Sequence, residues 1–271
     1  MSWPILFPQA KCAYFFISVE NLAKGILRAS YDLYVNKDGT IRYDMTELPL
    51  THFKPREIGT TVSMLKKLGY THDFRGEELV SEDQIVEIKP QDVVLPNCPD
   101  SVEEGAGIVF FRVANFIDDL LKNFYGLEPY YKLKDKKDLV GHLVVALAPH
   151  TSAGTVCRII GFSKTQGFYT HPLLHCAIRR DCDGDEAAIM LLMDSFLNFS
   201  KKYLPSHRGA VQDAPLVLTS HLIPSEVDDM IFDMDIAFEY PLELYETAER
   251  YGMPWEVDVL KFGRVLNTEK Q

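Results

Sequence analysis

In the middle of this 271-residue chain, apolar residues come in short runs, each soon closed by a turn residue. Residues 79–95 (LVSEDQIVEIKPQDVVL) alternate as strands do and break at Pro90. GHLVVALAP (141–149), TVCRIIGF (155–162), HPLLHCAIR (171–179) and APLVLT (214–219) read as short buried strands. Strands this short and numerous suit a barrel with helical insertions better than a doubly wound sheet.

Helical spacing accompanies them. In THFKPREIGTTVSMLKKLGY (51–70), Pro55 suits a first turn, and Ile58, Val62, Leu65 and Leu68 recur at helical intervals. A long apolar helix is expected over 108–125, capped near Gly126. Another is expected over 186–203, with Met190, Met193 and Leu197 on its apolar stripe and Lys201 and Lys202 at its C-terminal end. A last amphipathic helix is expected over 242–252, and the tail beyond Trp255 is expected to fray. The run YDLYVNKDGTIRYD (31–44) predicts a hairpin around Asn36-Lys37-Asp38-Gly39. Lys132, Lys134, Lys136 and Lys137 read as a solvated loop. The fold class is therefore α+β.

No apolar run approaches the roughly 18 residues of a membrane span. The start of the chain has no basic n-region and carries Pro4 and Pro8, so it does not read as a signal peptide. Five cysteines (Cys12, Cys98, Cys157, Cys176, Cys182) contain no C-x-x-C pair. That spacing excludes a zinc ribbon and points to reduced thiols in a cytoplasmic protein.

The net charge of −11 seems at first to oppose a nucleic-acid partner. Its distribution says otherwise. Residues 1–180 hold 21 basic and 21 acidic residues, whereas 181–271 hold 7 and 18. A basic stretch, 130–180, with 8 basic and 2 acidic residues, runs directly into the acidic one. The junction is Arg179-Arg180-Asp181-Cys182-Asp183-Gly184-Asp185-Glu186.

Asp181, Asp183 and Asp185 stand at i, i+2, i+4. On an extended segment they share one face about 6–7 Å apart, and Gly184 permits a bend that brings them closer. Converging carboxylates suit Mg²⁺, and two such ions can serve in-line phosphoryl displacement. Arg179, Arg180 and Arg158 could neutralise phosphate charge, and the turn from His150 to Gly154 could present amides to it. An EF-hand is excluded, because Glu186 and Leu192 fall where Gly and Glu are required. The bland alternative is an acidic turn capping the next helix. His142, His150, His171 and His175 show no convincing zinc spacing.

The stretch LAPHTSAGTVCRIIGFSKTQGFYTHPLLHCAIRRDCDGDEAAIMLLMDSFLNFSKKYLP closely resembles the catalytic region of the archaeal family D DNA polymerase large subunit. So do KDGTIRYDMTELPLTHFKPREIG, SEDQIVEIKPQDVVL, NFYGLEPYY and DAPLVLT, in order, over roughly residues 22–258. The resemblance implies an active site built on two double-psi β-barrels, the second bearing a magnesium-binding D-x-D. Those positions are Asp183 and Asp185 here. Asp181 departs from the family's usual Asn, which makes the motif resemble the three-aspartate motif of multisubunit RNA polymerases.

The resemblance also implies a much longer large subunit, with its lysine-bearing first barrel and zinc modules outside these residues. It implies a small proofreading exonuclease subunit, a sliding clamp, and DNA primer–template and dNTPs as ligands. The expected units are an unmatched segment 1–21, a hairpin-plus-helix module 22–78, the catalytic double-psi β-barrel 79–225 with a helical insertion near 101–137, and an acidic segment 226–271 with a helix. The expected function is Mg²⁺-dependent nucleotidyl transfer, incomplete in this chain alone. Its rivals are a metal-dependent nuclease using the same carboxylates and a non-catalytic assembly module.

Overall fold

A computed structural model describes residues 22–200, 216–227, 229–237, 239–265 and 268. The chain starts with helix α1 (Leu22–Ser30) and reaches strand β1 (Tyr43–Pro49) through a turn. The turn forms where expected, with the Asn36 amide donating to Thr40 O at 2.7 Å. The hairpin does not form, because residues 33–36 pair with nothing as a strand. Asp38 is fully buried instead. It accepts from the Thr40 amide and hydroxyl and pairs with Arg42, so an inward carboxylate shapes the turn without cross-strand pairing.

Strand β2 (His52–Phe53) pairs antiparallel with β3 (Val86–Glu87). Between them the expected 51–70 helix is split into a 3₁₀ turn, Pro55–Glu57, and α2 (Val62–Lys67), which Thr61 caps. Gly59 at φ 65° makes the break, and it frees Ile58 O to accept from the Phe162 amide at 2.8 Å. A small second core (Phe53, Ile58, Leu65, Tyr70, Leu79, Val86, Ile88) fills this lobe.

Next come β4 (Asp92–Pro96), all of it buried, and α3 (Ala106–Leu120). A π turn, Leu121–Tyr125, ends α3 at left-handed Gly126 (φ 63°), the expected cap. Helix α3 lays Phe110, Val113, Phe116, Ile117 and Leu120 on the main core. The lysine-rich loop closes in a 3₁₀ turn, Lys136–Leu139. Strands β5 (Leu143–Leu147) and β6 (Ala153–Ser163) match the expected runs, and β7 (Gly167–Thr170) follows.

Two expected elements exchange type. HPLLHCAIR is helix α4 (Pro172–Ala177), not a strand. Pro172 opens its first turn, and His171 Nδ1 caps it by accepting from the Leu173 amide. The expected 186–203 helix is strand β8 (Glu186–Leu191) followed by a short α5 (Leu192–Asn198). Ala187–Leu191 lie between two partner strands and are buried on both faces. Such a run is apolar throughout, so periodicity cannot distinguish it from a helix. Lys201 and Lys202 fall outside the described residues.

The main sheet has the order β4-β7-β1-β8-β5-β6, and β4 also pairs with β6, so six strands close into a ring. Pairs β1–β7 and β4–β6 are parallel; the other four in the ring are antiparallel. The ring takes β1 from before residue 79. Strand β9 (Val217–Thr219) adds to β6 outside the ring, which explains why Val217 is exposed although a buried strand was expected.

Helix α6 (Leu242–Glu249) appears as expected. The tail does not fray at Trp255. Helix α7 (Phe262–Val265) follows, with Phe262 buried against the His171 ring and its amide donating to Met234 O. No helix among the described residues is long and apolar enough to cross a membrane.

Candidate metal centre

The aspartates lie on the loop between α4 and β8. This loop turns sharply. Arg179 (φ 62°), Cys182 (φ 66°) and Gly184 (φ 96°) all adopt left-handed backbone conformations. For the two non-glycines that is costly, so the surroundings must hold them there. Part of the hold is the end of α4: the Arg179 amide donates to Cys176 O and the Arg180 amide to His175 O, at 3.0 and 2.9 Å. The rest comes from β1, whose Glu47 amide donates to Asp185 O at 2.9 Å.

Asp181, Asp183 and Asp185 each present a carboxylate oxygen, and the three oxygens lie within 4.8 Å of one another. All three residues are exposed. Carboxylates held this close repel one another unless a cation joins them. The donor set is all oxygen, as Mg²⁺ or Mn²⁺ prefers. It is the one His/Cys/Asp/Glu group of three or more among the described residues with such convergence.

Arg180 stands beside them. Its Nη1 lies 3.0 Å from Asp185 Oδ2, and its Nη2 lies 3.5 Å from His150 Nδ1. The fold thus brings His150 and Arg180, thirty residues apart, to one rim. Arg179 is exposed and lines the same shallow cavity with Arg180, Asp181, Asp185, Cys176 and Met230. The carbonyls of the 149–151 turn are partly occupied, since Arg42 Nη1 donates to Pro149 O at 2.9 Å.

Arg158 is placed elsewhere. Its guanidinium makes a two-pronged pair with buried Asp92 (2.9 and 2.8 Å), which also accepts from the Tyr70 hydroxyl. This pair ties β6 to β4 where the ring closes, and Asp92 raises the arginine pKa. The remaining histidines also disperse. Burial pushes His171 down to about 4, and His142 packs edge-on against Tyr130 and Tyr131.

Two residues that sequence reasoning passed over lie directly beneath the loop. Glu47 on β1 and His175 on α4 are both fully buried, with Glu47 Oε2 2.8 Å from His175 Nδ1. Burial alone would raise the Glu47 carboxyl, but His175 and the Gly184 and Asp183 amides outweigh it and hold it low. The available signal was register: Glu47 shares the inward face of β1 with Met45, where a charged residue needs a partner.

Residues 16–271 match the family described as "DNA polymerase II large subunit DP2, catalytic domain". The DNA polymerase II large subunit of Pyrococcus furiosus is 56% identical over 238 residues, covering 88% of this chain and 18% of that protein. That of Archaeoglobus fulgidus is 55% identical over 239 residues (88% and 20%), and that of Nanoarchaeum equitans 53% over 238 residues (84% and 19%). The chain spans about a fifth of the length of these curated relatives. An acidic D-x-D loop seated on a six-stranded ring, together with a match over nearly the whole chain, places this protein in the DNA polymerase II large subunit family of archaea, within its catalytic domain.

Proposed function

We propose that this chain supplies the metal-binding half of a DNA-directed DNA polymerase active site. The observation that carries the reading is the convergence of three carboxylates within 4.8 Å at the start of β8. Asp183 and Asp185 would hold the ions, with Asp181 assisting. The all-oxygen donor set fits Mg²⁺, and a two-ion site of this kind would supply charge stabilisation for displacement of pyrophosphate from a dNTP by a primer 3′-hydroxyl.

The chain's own residues do the rest. Arg180 pairs with Asp185, and with cations bound there its guanidinium would be available to phosphate oxygens. Arg179 and His150 line the approach. Arg158, engaged by Asp92, serves the ring and not the phosphate.

We read the six-strand ring as the double-psi β-barrel of the two-barrel polymerases, with the helical insertion near 101–137 packed on it. The flanking units are 22–78, which lends β1 to the ring, and the acidic segment 226–271. The remainder of the large subunit would contribute the lysine-bearing barrel. Primer–template DNA, dNTPs, a small exonuclease subunit and a sliding clamp in the cytoplasm complete the assembly.

The test is primer extension by the assembled enzyme with Mg²⁺. Asp183→Ala or Asp185→Ala should abolish incorporation while circular dichroism stays unchanged, and normal incorporation by either variant would overturn the reading. Omitting dNTPs separates lengthening from shortening. Shortening that depends on the same aspartates would favour a nuclease.

A further inference from the structure

Nothing in the aspartates themselves explains how the loop keeps its left-handed turns, and the buried pair beneath it does. Glu47 touches three consecutive loop residues. Its Oε1 accepts from the Gly184 amide at 3.3 Å, the Asp183 amide helps hold its carboxyl low, and its own amide donates to Asp185 O at 2.9 Å. The Glu47 carboxylate is oriented in turn by His175. Leu48 O, which can only accept, lies 3.0 Å from His175 Nε2, so Nε2 carries hydrogen and fixes the ring, while Nδ1 faces Glu47 Oε2.

An apolar pair of equal volume could fill the space without loss of stability, because burying a carboxylate is costly. It could not accept the loop amides. We propose that Glu47, oriented by His175, is a positioning residue that sets the backbone of Asp183–Asp185 and thereby the spacing of the metal-binding carboxylates. The inference rests on the metal reading of those aspartates.

Substitutions separate this role from simple support. In Glu47→Gln, the amide oxygen still accepts from Gly184, and the amide nitrogen can donate to His175 Nδ1 with the Leu48 bond intact. The acceptor toward the loop survives. Glu47→Met keeps the length and loses the acceptor. Glu47→Asp keeps the charge and loses the reach.

The experiment measures Mn²⁺ binding to the 271-residue chain by electron paramagnetic resonance, with circular dichroism and thermal melting on each variant. Asp183→Asn should lose binding. Glu47→Gln should bind within about threefold of wild type, and Glu47→Met about tenfold or more weakly, as is typical when a residue behind a metal ligand is lost. If Glu47→Met does not fold, Glu47→Asp takes its place with the same expectation. Leu65→Ala, in the separate lobe, should melt earlier with unchanged Mn²⁺ binding, which shows that general loosening is not what the probe reads. Wild-type binding by Glu47→Met or Glu47→Asp, with binding lost in Asp183→Asn, overturns the positioning role and leaves the metal site standing. Wild-type binding by Asp183→Asn overturns the metal reading itself.

Discussion

The acid in this chain is used in two opposite ways. On the loop before β8, three carboxylates converge to within 4.8 Å, and Arg180 pairs with one of them. Beyond residue 225, Glu226, Asp229, Asp233 and Asp235 face solvent, spread over two 3₁₀ turns and the segment after them. Where those after 225 find partners they do so singly, as Asp233 does with Lys261 at 3.2 Å. Asp228 lies outside the described residues. The difference teaches that net charge says little about a ligand, whereas enforced closeness of like charges says a great deal. A fold tolerates dispersed acid at almost no cost, but convergent acid stores repulsion that a bound cation relieves.

The widest gap should appear in activity. In the assembled enzyme, Asp183→Ala together with Asp185→Ala should leave no detectable incorporation, while Asp233→Ala with Glu226→Ala should extend primers at the wild-type rate. Matching losses in both would erase the distinction.

Next comes a carboxylate of a third kind, buried and paired within the ring. Asp92→Ala strands the Arg158 guanidinium and the Tyr70 hydroxyl and should cost about 3–5 kcal/mol in urea unfolding.

Asp194 sharpens the picture through pH. It is fully buried, and burial outweighs the hydrogen bonds from Asn198 and Ile41, lifting its pKa to about 6. The folded state then holds this proton more tightly than the unfolded chain. Its stabilising effect is complete below about pH 4 and is lost as pH rises to about 6, a swing on the order of 3 kcal/mol. Asp194→Asn should flatten that window, so the stability difference between variant and wild type should change between pH 4 and 7 and level off above it. The smallest effect belongs to the surface: Asp233→Ala should change stability by about 0–1 kcal/mol, and less in high salt.

Much of the site was readable from spacing, because i, i+2, i+4 aspartates around a glycine leave few other arrangements. The strands at 143–147 and 153–163 and the α3 helix with its Gly126 cap were readable for similar reasons of length and punctuation. The two exchanged elements were not. Ala187–Leu191 is buried all round, so its pattern carries no period, and Pro172-Leu173-Leu174 is too short for a helical repeat to show. Glu47 and His175 were missed for a different reason. They lie 128 positions apart, and only the pairing of β1 with β7 and β8 brings them together.

The closed ring has a consequence for motion. Strand β8 is laddered on one side to β1 and on the other to β5, and neither of those has a free edge. The aspartate loop therefore cannot peel away with a fraying strand, since opening β8 means breaking two ladders at once. Its backbone amides should be among the slowest to exchange where they meet Glu47, while the carboxylates a few ångströms away are exposed to solvent. Any cation taken up there would be exchanged by side-chain motion alone, on a frame that does not have to unfold to release it.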